Sequence, residues 1–293
     1  MRHIVPISGK DSGALLWELR RRSPDLPLEP MYNPTGAETP EVDAWLNRFA
    51  AAINLPIVRV GECLEAIIDE QGILPSMRAR YCTRLAKIYP MEEWIGSDPA
   101  MVYFGIRADE RRGGYVNPKK PNITPVYPLA AWGMGIDDVW RVLDDADLLP
   151  PSFFWPALYT MVADRLGAYA DEVLSALHPL KHRQLFAGRS RMNCSFCFFQ
   201  RAYEWIWLLE THPALYWRAA EMEETIGGDG YTWRQGQQLR ELATRADLVK
   251  TRRAKRIVKM LLPQQTALWA DEDEDGDVPD VLQVVSCGLL CGK

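Results

Sequence analysis

The stretch Val5-Pro6-Ile7-Ser8-Gly9-Lys10-Asp11-Ser12 constrains this chain more than any other. Arg2-His3-Ile4-Val5 before it reads as a short apolar strand. Gly13 to Arg20 after it carries apolar residues at helical spacing. A strand, a tight Ser/Gly turn and a helix N-terminus together form an anion cradle. Backbone N–H groups and the positive helix end face the ligand, and Lys10 adds a full charge. The GxxxxGK[ST] spacing of a Walker A loop is absent. The plainer reading of the same residues is a capped helix after a strand.

The chain has 293 residues, enough for one large domain or two ordinary ones. Apolar residues make up 47%, as in soluble globular proteins. There is no apolar run long enough to predict a membrane span. The opening passes directly into a strand without a signal-peptide pattern, so a cytoplasmic protein is expected. A net charge of −5 gives no global attraction for nucleic acid, so any such binding must come from a local patch. Six cysteines in this setting point to metal or redox chemistry rather than a disulfide framework.

Short apolar runs alternate with helical patterns up to about residue 145. That rhythm predicts βαβ units: an α/β fold with a parallel sheet and helices on both faces. Ligands of such sheets lie beyond the strand C-terminal ends, where Ser8, Thr35 and Arg107 are all expected. Three regions follow: residues 1–150, the α/β domain; 151–270, mainly helical and carrying a CxxC; and 271–293, an acidic linker and a cysteine-bearing tail. Trp205, Leu208, Leu209, Leu215 and Trp217 recur at core-like intervals and are read as packing. Cys63, among Leu64, Ile67 and Ile68, is expected in the core.

Four further segments follow the first in order. They are Tyr32-Asn33-Pro34-Thr35-Gly36-Ala37-Glu38-Thr39-Pro40-Glu41; Arg80-Tyr81-Cys82 through Lys87 to Pro90-Met91; Tyr103-Phe104-Gly105-Ile106-Arg107-Ala108-Asp109-Glu110; and Val126-Tyr127-Pro128-Leu129 through Trp132 to Asp138-Val139-Trp140. Gly9-Lys10-Asp11-Ser12 resembles the SGGKDS PP-loop of the ATP pyrophosphatases, with Ser8 where the first Gly would stand. The other four resemble, in the same order, segments of the 3′-phosphoadenylylsulfate (PAPS) reductase family, a resemblance covering roughly residues 1 to 145.

The resemblance implies a PP-loop, Rossmann-like nucleotide site. Ser8, Gly9 and Ser12 would offer donors to a departing pyrophosphate, and Lys10 would neutralise it. Asp11 would order the loop or hold Mg²⁺ through water. Arg107 would clamp a phosphate or the adenylated intermediate. Lys87 would face the same pocket, and Thr35 and Gly36 would approach the nucleotide or shape the turn. For Lys10, Arg107 and Lys87 the alternative is a surface salt bridge. Members that reduce a ready-made sulfonucleotide tend to lose the Lys-Asp-Ser part. Its retention here favours an ATP-consuming member that releases pyrophosphate.

Cys194-Ser195-Phe196-Cys197 is a CxxC at the start of a helical pattern. By itself it fits a redox dithiol, half a zinc site or two buried hydrophobes. The resemblance makes Cys82, Cys194 and Cys197 candidate ligands of a four-iron, four-sulfur cluster. Tyr81 occupies one place of the cysteine pair known in adenylylsulfate reductases, leaving one ligand to find. Either Cys287 or Cys291 closes the site, or the fourth iron stays open to bind sulfur. Ser286-Cys287-Gly288-Leu289 resembles the C-terminal ECGLH of sulfonucleotide reductases, which would make Cys287 a nucleophile. The Glu and His of that motif are absent.

Arg252, Lys255, Arg256 and Lys259 share a face of one expected helix, fitting either a phosphate track or a solvated basic surface. The leading expectation is an enzyme that cleaves ATP at its α–β bond to activate an acceptor, nucleic acid first, for sulfur transfer. A separate cysteine desulfurase would supply the sulfur. The alternatives are a PAPS or adenylylsulfate reductase using Cys287, and a non-catalytic nucleotide-binding subunit of a modification or defence complex.

Overall fold

The computed structural model describes residues 1–61, 63–111, 113–192, 194–226 and 231–262. Contacts divide these into two units. Met1–Pro151 and Arg191–Ser195 form the first, and Ser152–Ser190 with the residues from Phe196 to Leu262 form the second. Cys194 therefore belongs with the first unit and Cys197 with the second.

In the first unit, β1 (Arg2–Pro6), β2 (Leu28–Tyr32), β3 (Val58–Arg59), β4 (Ala100–Tyr103) and β5 (Ile123–Val126) form one sheet in the order β3-β2-β1-β4-β5. Every neighbouring pair is parallel. Parallel neighbours require crossovers, and helices supply them. These are α1 (Lys10–Arg22), α2 (Pro40–Ile53), α3 (Leu64–Gln71), α4 (Tyr81–Thr83), a π turn at Arg84–Ile88, α5 (Tyr89–Ile95), α6 (Pro128–Ala131) and α7 (Ile136–Asp145). This is the expected α/β fold. β1 is central and pairs Ile4 with Glu29 on one side and Val102 on the other. Ile4 and Val5 are fully buried, as in strands covered on both faces.

One core layer joins Ile4, Met31, Val102, Phe104 and Ile123 to Met91 and Ile95 of α5. Burying side chains of this size stabilises the unit by roughly 1.5–3 kcal/mol each. Gly13 lets α1 approach α2 closely, since a Cβ there would stand 3.2 Å from both Trp45 and Phe49. Strand β3 has only two residues. Asn54 ends α2 in the left-handed conformation, and Pro56 has no N–H to donate to a ladder. Helix α1 starts three residues before Gly13, directly after the Ser8-Gly9 turn.

The second unit is helical: α8 (Pro156–Leu166), a 3₁₀ turn at Gly167–Tyr169, α9 (Ala170–Ser175), α10 (Pro179–Leu185), α11 (Ala202–Thr211), α12 (Pro213–Thr225), α13 (Leu239–Thr244) and α14 (Ala246–Leu261). Its interior is aromatic. Trp155, Phe186, Trp205, Trp207 and Tyr216 are fully or almost fully buried. Trp205 and Leu208 are thus core, as their spacing predicts, while Trp217 is exposed. The buried Glu223 carboxylate accepts the N–H groups of Trp233 and Leu239, tying that loop to α12. No described helix is long and apolar enough to cross a membrane.

Gly188 rests directly on the Trp207 indole, where a Cβ would stand 1.9 Å from a ring carbon. Gly188→Ala is expected to destabilise the protein by about 1–3 kcal/mol, read as a lower urea midpoint. Gly113→Ala, whose Cβ would meet nothing within 4 Å, should not lower that midpoint.

Candidate functional site

The sheet order places β1 between β2 and β4, so the chain leaves the two sides of the sheet centre in opposite directions. The crevice at that reversal, beyond the strand C-terminal ends, is where such sheets take ligands. The turn after β1 and the segment after β4 meet there. A Cβ on Gly105 would stand 2.8 Å from the Ser12 nitrogen and 2.9 Å from the Asp11 carbonyl carbon. Only a residue without a side chain lets the two segments approach so closely.

The turn is braced from inside. The Ser12 hydroxyl accepts the N–H of Ser8 at 2.8 Å and that of Gly9 at 3.2 Å, and donates to the Gly9 carbonyl at 3.1 Å. In the structure these groups, expected from sequence to face a phosphate, bond to one another and shape the loop. The donors left at the helix start are the first-turn N–H groups, which have no partner within a helix.

Asp11 is held between two cations. Its Oδ1 accepts from Arg107 Nη1 at 2.7 Å, and its Oδ2 lies 3.2 Å from Lys10 Nζ. Burial alone would raise the Asp11 pKa, but Lys10 and Arg107 outweigh it and hold the carboxyl below its ordinary range. Arg107 also gives Nε to Asp109 at 2.9 Å and lies 3.1 Å from Glu110. Burial works against its charge, and the Asp11 and Glu110 carboxylates restore and raise it. The expectation of a direct phosphate clamp thus meets a guanidinium engaged by three carboxylates of its own chain.

A small cleft, with room of about 20 Å³, is lined by Ser8, Tyr32, Asn33, Thr35, Glu38, Lys87, Met192 and Cys194. Of the residues expected from sequence, it gathers Ser8, Thr35, Lys87 and Cys194. Thr35 gives both its N–H, at 2.7 Å, and its hydroxyl, at 2.6 Å, to Glu38 Oε1. Asn33 donates to the Val60 carbonyl at 2.7 Å. Burial, with Glu38 and Cys194 nearby, keeps the Tyr32 phenol protonated. Gly36 has φ +73° and turns toward Cys63, whose sulfur a Cβ would approach to 2.8 Å. Cys63 itself is exposed at the start of α3, not in the core. Tyr32, Asn33 and Glu38 were visible in sequence only as members of a longer segment, and nothing in the sequence marked Met192.

A larger hollow of about 560 Å³ opens at the opposite, N-terminal strand ends, around Arg2, Arg20, Asp25 and Leu55. Its cations are committed: Arg2 to Glu29 at 2.7 Å, and Arg20 to the Ile53 and Pro24 carbonyls. The smaller cleft is the better candidate because its position and polar lining suit a ligand.

Cys82 and Cys194 are half-buried and Cys197 is buried. Cys194 and Cys197 flank the Ser195-Phe196 turn rather than opening a helix, since α11 starts only at Ala202. Among the described residues no three His, Cys, Asp or Glu side chains stand together in a way that holds a metal ion. Asp11, with both oxygens engaged by cations, is not set up as a direct Mg²⁺ ligand. Cys287 and Cys291 lie outside the described residues. On α14, Lys255, Arg256 and Lys259 are exposed and Arg252 is half-buried. The neighbouring Lys250 pairs with Glu210 at 2.7 Å, and Arg253 lies over the Tyr203 ring at 4.5 Å.

Comparison with known protein families finds no match, and none is found among curated proteins. Among solved structures, phosphoadenylyl-sulfate (PAPS) reductase from Candida auris, as a phosphate complex, is similar with a TM-score of 0.39 and 15% identity, over 51% of this chain and 74% of that one. A likeness at that level carries no argument about chemistry.

Asp11 ties acid sensitivity to this site. Its folded-state pKa is depressed below the ordinary value of 3.8, so its stabilisation is complete above that pH and lost as pH falls through the folded value. Unfolding midpoints measured from pH 6 down to about pH 2 should fall more steeply for the native protein than for Asp11→Asn.

Proposed function

We propose that the chain is an ATP-cleaving enzyme that activates an acceptor by adenylation for sulfur transfer. One observation carries this reading. Ser8, Thr35, Lys87 and Cys194 line one cleft beyond the strand ends, and Lys10, two residues after Ser8 though not itself in the lining, starts α1. Cations and helix N–H groups suit a polyphosphate. A thiol on the same wall suits sulfur chemistry.

In this reading an acceptor oxygen attacks the α-phosphorus of ATP. The bond from that phosphorus to the bridging oxygen breaks, and the electron pair leaves with pyrophosphate. Lys10 and the first-turn N–H groups of α1 neutralise the charge that builds on the leaving group. Mg²⁺ arrives with ATP as part of the substrate. A sulfur nucleophile then displaces AMP from the acceptor. Lys87 orients the nucleotide from the cleft wall, and Thr35, held by Glu38, keeps that wall in shape. A four-iron cluster on Cys82, Cys194 and Cys197 would supply redox-active iron and a binding point for sulfur. Among the described residues no such ligand set stands assembled, so no step here depends on it. Iron and acid-labile sulfide content after oxygen-free purification tests the cluster separately.

Nucleic acid is the proposed acceptor because Lys255, Arg256 and Lys259 project from α14, with Arg252 partly covered. Sulfur would come from a cysteine desulfurase. If this face tracks phosphates, replacing Lys255 and Lys259 by Ala should reduce the slope of log affinity against log salt by about two. An unchanged slope would remove the face from the proposal.

The central test is pyrophosphate release from ATP. Lys10→Ala is expected to lower turnover by roughly 100-fold, the usual scale for losing a group that stabilises transition-state charge. Turnover that survives the change would overturn the loop's role. Sulfite formed from PAPS and a thiol donor, lost in Cys287→Ser, would favour the reductase alternative. Tight ATP binding without either product would favour a non-catalytic subunit.

A further inference from the structure

We propose that Arg107 is a positioning residue that governs the charge partner of Lys10 rather than a ligand of the nucleotide. The inference rests on the nucleotide reading of the cleft and extends it to how the loop cation is released to a polyphosphate.

The geometry is specific. The Asp11 carboxylate is divided between Arg107 at 2.7 Å and Lys10 at 3.2 Å. Arg107 is also held through Nε by Asp109 at 2.9 Å and, at the same Nη1 that meets Asp11, by Glu110 at 3.1 Å. Asp109 also accepts the Ile136 N–H at 3.3 Å, at the start of α7. Gly105, two residues before Arg107, is pressed against the Asp11–Ser12 peptide. One guanidinium therefore joins the loop, the segment after β4 and the start of α7.

The charges make the consequence clear. One guanidinium faces three carboxylates, so Arg107 has no excess positive charge to offer a phosphate. Its effect is to hold Asp11 so that this carboxylate makes a closer contact with Arg107 than with Lys10. The Lys10–Asp11 contact is the longer and more exposed of the two, with Lys10 about a quarter exposed. It is the contact that yields when a polyphosphate enters. Without Arg107, Asp11 has Lys10 as its remaining cation. The same carboxylate then competes with the nucleotide for it and adds an uncompensated negative charge beside the phosphates.

Two measurements on the full chain test this. The first is ATP binding by calorimetry. Arg107→Met should weaken ATP binding roughly tenfold, within the usual range of coupling between contacting charges. Adding Asp11→Asn to that variant should recover most of the loss, because the competing charge is gone. A direct phosphate ligand would not be rescued this way. The second needs no nucleotide: amine labelling of Lys10 followed by peptide mass spectrometry. Labelling should slow severalfold in Arg107→Met and quicken in Asp11→Asn. Arg107→Lys, which keeps the charge but loses the forked contacts, should fall between native and Met in both. It serves as the working variant if Arg107→Met does not fold. A double variant that binds ATP no better than Arg107→Met, or Lys10 labelling unaffected by Arg107, would overturn the proposal. If the native chain binds no ATP, the nucleotide reading fails on its own, and the labelling result still decides the link from Arg107 to Lys10.

Discussion

The site depends on a carboxylate that has been largely withdrawn from water. The Asp11 side chain is only about 14% exposed, so leaving its charge unpaired is unfavourable. Two cations flank it, one from its own helix and one from the segment after β4. That requirement couples parts of the sequence 96 residues apart. It fixes the loop after β1 against the loop after β4, the two segments that the strand order brings to the centre of the sheet. Breaking either contact leaves a largely covered charge under-compensated, so the pair specifies the arrangement of the loop more than it adds net stability.

The loop is braced from within. Ser12 closes it with three hydrogen bonds, two of which occupy N–H groups that a simpler cradle would point outward. The gain is shape: the first turn of α1 is presented with its remaining donors and with Lys10 in place. Preorganised donors need little rearrangement when charge develops, which is the main advantage of such a site over water. The Glu38 carboxylate does a similar job on the opposite wall, clamping Thr35 through backbone and side chain together.

Much of this architecture was readable from sequence for a physical reason. Short buried strands and helix-period crossovers leave strong periodic signals, so the parallel sheet and the loop at its C-terminal edge follow from the pattern. Ser8 and Thr35 follow β1 and β2, so the topology alone brings them to this end of the sheet, whereas Lys87 stands in a helical stretch after α3 and was named only through the resemblance of its segment. Side-chain commitments left no such trace. Nothing in Ser-Gly-Lys-Asp-Ser says that Ser12 turns inward. Likewise, nothing in Gly-Ile-Arg-Ala-Asp-Glu says that the arginine is consumed by acids from its own turn and from Asp11. Cys63 shows the opposite error. Its apolar neighbours suggested burial, but it precedes the helix and stands at its exposed start.

Lys87 reaches the cleft through a local irregularity with a clear cause. Pro90 has no N–H, and its ring would clash with the Ala86 carbonyl in an unbroken α-helix. The helix answers by widening: the Tyr89 N–H bonds to Arg84, five residues back, and Arg84–Ile88 form a π turn. The Ala86 carbonyl is then found close to Gly61, where a Cβ would stand 3.2 Å from it. A π turn inserts a residue and rotates everything on one side of it relative to the other. The face that carries Lys87 is therefore set by Pro90, three residues further along, as much as by Lys87 itself. In a regular helix the lysine would point elsewhere, and the cleft wall would lose its cation without any change at position 87.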